Sequence, residues 1–144
     1  MKAPNAIARK YLAPCGIDCK LCARHMDKKR PPCLGCLNGG SPTSVHCKTC
    51  RIRLCAFDQG LQYCFECGKF PCRRIKTLEK RYREHYGFLL MEVSQIARQD
   101  GVDALLKRQL AAHTCPDCGG LISLHTRQCS ECGNTYPLER SAFI

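Results

Sequence analysis

Three features of this sequence predict a small, metal-stabilised α+β fold. Its 144 residues include 15 cysteines, most of them in Cys-x-x-Cys pairs or close runs. Between 73 and 112 the cysteines stop and helical periodicity takes over. Two further pairs, Cys115/Cys118 and Cys129/Cys132, then flank a short apolar run. The expected architecture is loop-rich cysteine knuckles, a helical middle segment and a C-terminal β-hairpin zinc ribbon, divided as 1–72, 73–112 and 113–144.

Length and cysteine usage set the terms. A chain of this size forms one ordinary domain, or smaller modules that need staples because they bury little core unaided. The cysteine count is odd, and the opening "MKAPNAIARKYLAPCG" has no apolar run of signal-peptide length. Both argue against an exported disulfide scaffold and for a reducing, cytoplasmic setting. There, dense Cys-x-x-Cys pairs persist as thiolates and read as metal ligands. No apolar stretch reaches the roughly 18 residues of a membrane span, so no membrane partner is expected.

Residues 1–72 carry 11 of the cysteines: Cys15, Cys19 and Cys22, then Cys33 and Cys36, Cys47 and Cys50, Cys55, and Cys64, Cys67 and Cys72. Tetrahedral sites take ligands in fours, so a twelfth ligand completes three sites. His46, beside Cys47, is the first candidate and His25 the second. Two sites with three spare cysteines is the competing count, and spacing alone leaves the pairing open. The triplet Cys15-x-x-x-Cys19-x-x-Cys22 also suits an iron–sulfur cluster, because four thiolates satisfy iron as readily as zinc. Radical chemistry on such a cluster needs a large α/β enclosure, and no strand–helix alternation of that length is present.

In the middle segment Ile75, Leu78 and Tyr82 share one helix face, while Leu89, Val93, Ile96 and Ala97, widened by Leu90 and Met91, share another. Val102, Leu105, Leu106 and Leu110 repeat at amphipathic spacing, and Gly87 and Gly101 are natural breaks. In the last segment the run at 121–125 reads as a strand. Cys115, Cys118, Cys129 and Cys132 form a closed four-thiolate set, which makes the ion structural rather than hydrolytic. Gly119 and Gly133 follow the second cysteine of each pair, where a knuckle turns sharply and positive φ is needed. With the N-terminal sites this predicts about three to four zinc ions per chain.

The formal charge of +11 suggests a polyanionic partner. Thiolate formation and four divalent ions would lower it to about +4, so composition overstates the case. What survives is local. Arg73, Arg74, Lys76, Lys80, Arg81 and Arg83 face only Glu79 and Glu84 on the helix expected at 73–86. A solvated helix face is the first explanation of that pattern, and a protein or nucleic-acid partner is the alternative. Enzyme signatures are missing: there is no His-Glu-x-x-His, no phosphate-cradling glycine loop, and no deaminase or thioredoxin-like context. His125 reads as a strand or loop histidine, because four cysteines already satisfy the nearby ion. No catalytic residue is therefore expected.

The stretches "LAPCGIDCKLC", "CLGC" and "CRIRLCAFDQGLQYCFECGKFPCRRI" resemble a cysteine-rich family of bacteria and archaea, domain of unknown function 3795. "DGVDALLKRQ" followed by "CPDCGGLISLHTRQCSECG" is similar to its longer members, which append a helix and a zinc ribbon, so the resemblance spans about 12 to 134. Those members carry an aromatic residue before the first ribbon cysteine, where this chain has His113 and Thr114. The resemblance implies metal binding by the matched cysteines and no established activity. The functional expectation is a zinc-binding adaptor module, with iron–sulfur electron transfer as the alternative.

Overall fold

The computed structural model describes residues 1–29, 33, 35 and 50–137. Three of the expected ligands, Cys36, His46 and Cys47, lie outside the described residues. Single 3-10 turns occupy Arg9–Tyr11, Cys19–Leu21 and Cys64–Glu66. The α-helices are α1 (Ala23–Met26), α2 (Arg51–Asp58), α3 (Arg73–Tyr86), α4 (Leu90–Asp100) and α5 (Val102–Ala112).

The α+β expectation is corrected by this architecture, since no strand or sheet exists among the described residues and the C-terminal β-hairpin is not formed. Antiparallel pairing there is limited to isolated bridges, Thr114 with Leu121, Ile122 with Cys129 and Gln128 with Thr135. The reason lies in where the backbone amides go. Leu121 N–H donates to Met1 O at 2.9 Å, Ile122 to His113 O at 2.8 Å, Ser123 to Gln128 O at 3.1 Å and Leu124 to Leu21 O at 3.0 Å. Four successive donors serve four separate segments, so no two neighbouring pairs can build a ladder. The turn then closes on Ser123, whose hydroxyl accepts from the His125 and Thr126 amides at 3.1 and 3.3 Å.

The three long helices follow from their apolar spacing. α3 turns Ile75 inward and ends at Gly87, whose φ of 67° lets its amide reach Arg83 O and the Phe88 amide reach Tyr82 O. That reversal drives Phe88, Leu89 and Leu90 straight into the core at the start of α4. Gly101, at φ 96°, turns the chain again, and α5 packs Val102, Leu105 and Leu106 against α4. One apolar cluster draws on all parts of the chain: Leu12 and Leu21 from the N-terminal loops, Ile75, Phe88, Val93 and Leu105 from the helices, and Leu121 and Leu124 from the last segment. The described part of the N-terminal region is thus tied into an apolar core shared with the rest of the chain. No helix among the described residues is long and apolar enough to cross a membrane.

Phe88 is fully buried where the α3–α4 reversal meets that cluster. Truncation by Phe88→Ala is expected to destabilise the protein by about 3–5 kcal/mol, the usual cost of a large core cavity. Chemical denaturation of both proteins at matched metal loading checks it, and a loss below about 1 kcal/mol would show that this site collapses without cost.

Candidate metal centres

The two C-terminal knuckles are built from their own backbone. The Gly119 amide donates to Cys115 O at 2.9 Å and the Gly133 amide to Cys129 O at 3.1 Å, each with the glycine at positive φ, 73° and 78°. These turns aim the four sulfurs inward. One ligand atom from each of Cys115, Cys118, Cys129 and Cys132 lies within 4.8 Å of the others, with Cys115 to Cys132 at 3.8 Å and Cys118 to Cys129 at 3.5 Å. A tetrahedral ion with metal–sulfur bonds of roughly 2.3 Å sets its sulfurs about 3.8 Å apart, so the donor set fits such an ion.

The surroundings favour thiolate at Cys115 and Cys129. The Glu131 amide donates to Cys129 Sγ at 3.4 Å, and Tyr136 Oη lies 3.1 Å from Cys115 Sγ. Burial pushes the Cys115 thiol up, but contacts with the Tyr136 hydroxyl and with the Asp117 and Cys118 amides outweigh it and bring its pKa to about 6. Cys115 and Cys129 are buried while Cys132 is exposed, so the site has one wet edge.

The N-terminal cysteines are arranged differently. Cys15, Cys19 and Cys22 share the wall of one cavity of about 1040 Å³ with Cys50, Cys55, Cys64, Cys67 and Cys72. Beside the cavity the Cys64 amide donates to Pro14 O at 2.8 Å, tying the first cysteine loop to the last. Asp18 shapes the first loop: its carboxylate accepts from the Lys20 amide at 3.0 Å, and burial raises its pKa to about 7. Burial, with like charge from Cys72, Cys55, Cys67 and Cys50, pushes the Cys64 thiol up to about 12. Yet these sulfurs do not close up as the C-terminal four do. Among the described residues no other set of three or more ligand atoms lies within 4.8 Å. Cys33 is buried apart from the cavity wall, and its carbonyl accepts from His25 Nδ1 at 2.6 Å, which leaves the lone pair on a buried His25 Nε2.

Residues 11–77 match the family described as Protein of unknown function (DUF3795). No curated protein and no solved structure matches the chain. The DUF3795 match contains all eight cavity cysteines and ends inside α3. It therefore bears out the resemblance over its N-terminal part, and the C-terminal cysteine module lies beyond it.

Several residues around these sulfurs escaped the sequence reading. Gln59 stands between two of them, donating from Nε2 to Cys55 Sγ at 3.0 Å, with its Oε1 3.7 Å from Cys67 Sγ. Its position four residues after Cys55, one helical turn on, was a readable signal. Arg51, Lys69, Arg73, Arg74 and Arg81 also line the cavity, so part of the basic face of α3 looks onto cysteines. Only the fold brings those together.

Gly120, which the sequence reading passed over, packs against the C-terminal site. A Cβ there would meet Cys129 Sγ at 2.8 Å and the Glu131 side chain at 2.8 and 2.9 Å. Gly120→Ala is therefore expected to displace a ligand sulfur and weaken metal binding at the C-terminal site by about 10-fold or more, the usual cost of disturbing a ligand's support. Competition against a chromophoric chelator measures it, and an unchanged affinity would show that the knuckle yields freely.

Proposed function

We propose that this chain is a zinc-binding protein of the cytoplasm whose metal-fixed loops and basic helix form a binding module for a protein or nucleic-acid partner. The observation that carries the reading is the C-terminal sulfur set, whose spacings of 3.5 and 3.8 Å suit a single tetrahedral ion with no open position for substrate. The eight cavity cysteines, with Cys33, Cys36, His46 and Cys47, would supply the further ligands, for about three to four zinc ions in all. Segment boundaries near 72 and 112 would then separate the N-terminal sites, the helices and the C-terminal site.

Two surfaces support a macromolecular partner. Lys76, Lys80 and Arg83 are exposed on α3 away from the cavity lining, and Leu54 and Phe57 stand exposed on α2. An exposed apolar pair beside cations is a common element of recognition surfaces. A second reading keeps one observation in its favour. The cavity sulfurs are spread rather than gathered, and an iron–sulfur cluster holds its thiolates on its outer corners, further apart than one ion does.

A single preparation separates the two. Protein made and purified without oxygen, with iron supplied, is expected to be colourless, unchanged by dithionite, and to carry about three to four zinc by elemental analysis. Zinc is d¹⁰ and has neither visible bands nor redox chemistry. A brown, iron-rich product that bleaches on reduction, and loses its colour when Cys15, Cys19 and Cys22 are changed to Ser, would replace the zinc reading with the redox one.

A further inference from the structure

Gln59 closes the C-terminal end of α2, where its backbone amide donates to Cys55 O at 3.2 Å. Its side chain does something that capping a helix does not require. Nε2 lies 3.0 Å from Cys55 Sγ, nearer than the 3.5 Å that separates it from Cys55 O, and Oε1 lies 3.7 Å from Cys67 Sγ. An exposed glutamine at a helix end ordinarily leaves its carboxamide to water, because fixing the side chain costs rotamer entropy. Here the two ends of one carboxamide meet two sulfurs from different segments of the chain.

The Nε2 group only donates, so Cys55 Sγ is its acceptor. Cys67 Sγ has a donor of its own in the Lys69 amide, at 3.4 Å. The same contact, from the amide two residues on, occurs in the C-terminal centre, where the Glu131 amide reaches Cys129 Sγ at 3.4 Å. The turn at Cys67 is built like a metal knuckle in its backbone as well. The Cys67 amide donates to Cys64 O at 3.0 Å, and Gly68 follows the second cysteine as Gly119 and Gly133 do in the C-terminal pairs. Cys64 and Cys67 are thus presented together, and Gln59 links Cys55 to them on the wall of the same cavity.

We propose that Cys55, Cys64 and Cys67 bind one and the same ion, with Gln59 as the positioning residue that holds Cys55. The inference rests on the reading of the cavity cysteines as metal ligands, and it assigns a grouping that their spacing left open. Three thiolates on one ion select a soft divalent metal, and the fourth comes from the same wall, which also carries Cys50 and Cys72. The sulfurs of Cys55 and Cys67 stand on either side of the carboxamide, and a change of staggered rotamer at either cysteine is the motion that closes them on an ion. Through that motion the Nε2 donor keeps Cys55 oriented and takes up part of its charge. In metal sites such supports are worth about 10–100-fold in affinity.

The full chain loaded with cadmium-113 tests this, because each ion gives its own resonance and couples to the β-protons of its cysteine ligands. In the wild-type protein one resonance is expected to correlate with Cys55, Cys64 and Cys67 together. In Gln59→Glu and in Gln59→Leu, which both lack the donor, that resonance should move and its site weaken by about 10-fold. The resonance coupled to Cys115, Cys118, Cys129 and Cys132 should stay in place, reporting an intact fold. Division of Cys55, Cys64 and Cys67 among different resonances in wild type overturns the shared site and leaves the metal reading standing. A shared resonance that moves in neither folded variant overturns the role of Gln59. No cadmium on any of the three overturns the metal reading of this wall and the inference with it.

Discussion

Thirteen cysteines occupy described positions, and each one that ionises places a negative charge that a small apolar core cannot hold unpaired. The fold meets this constraint in two ways. At the C-terminal knuckles it brings four sulfurs to the spacing of a single ion, so that a divalent cation can neutralise them collectively. Around the N-terminal cavity the sulfurs are spread, and Arg51, Lys69, Arg73, Arg74 and Arg81 stand among them. α3 accordingly serves three neighbours at once. Ile75 enters the core, the Tyr82 hydroxyl meets His125 of the C-terminal module at 3.0 Å, and Arg73, Arg74 and Arg81 line the cysteine cavity.

The same economy governs the backbone. The C-terminal module gives up a regular ladder because its amides are needed elsewhere: Leu121 holds Met1, Ile122 holds the end of α5, and Leu124 holds the loop of Cys19 to Leu21 through Leu21 O. Each of these bonds is ordinary in strength, about 1 kcal/mol net. Their effect is geometric, because they fix Leu121 and Leu124 inside the cluster that also contains Leu12 and Leu21. His125 adds a side-chain link in the same place, between Ala23 and Tyr82. The metal-binding turns at the end of the chain are thereby mechanically continuous with the cysteine loop at its start.

What could be read from the sequence follows from the range of the interactions. α3, α4 and α5 are set by contacts within one or two turns, and the spacing of Ile75, Leu78 and Tyr82, or of Val102, Leu105 and Leu106, records them directly. The C-terminal knuckles are local too, with both cysteines and the glycine of each turn inside five residues. The run at 121–125 misled because a short apolar stretch can be buried by any neighbour, and a strand is only one such outcome. Nothing in its five residues records that Leu121 answers to Met1 and Leu124 to Leu21. Ile7, Leu12, Ile17 and Leu21 lie among glycine, proline and cysteine without a period, so their place in the core was equally hidden. The cavity assembles eight cysteines from loops almost sixty residues apart, which spacing could count and could not arrange.

The placement of α3 changes what its positive charge means. Read along the sequence, Arg73, Arg74, Lys76, Lys80, Arg81 and Arg83 form one basic face of the kind a polyanion would meet. In the fold, Arg73, Arg74 and Arg81 line the cysteine cavity, and Lys76, Lys80 and Arg83 do not. The first group is spoken for when the thiols ionise, since a four-thiolate zinc site keeps a net charge of about −2. Two such sites in the cavity would draw on most of the cationic field that the helix projects. Metal loading and attraction for a polyanion are therefore opposed on this surface. The charge available to an outside partner is greatest at Lys76 and Lys80, which lie outside the cavity lining, because Arg83 is paired with Glu79 at 3.6 Å. A partner that reads this helix in the metal-loaded protein would have two such cations to meet rather than six, and the exposed Leu54 and Phe57 on α2 would carry correspondingly more of any contact with a protein.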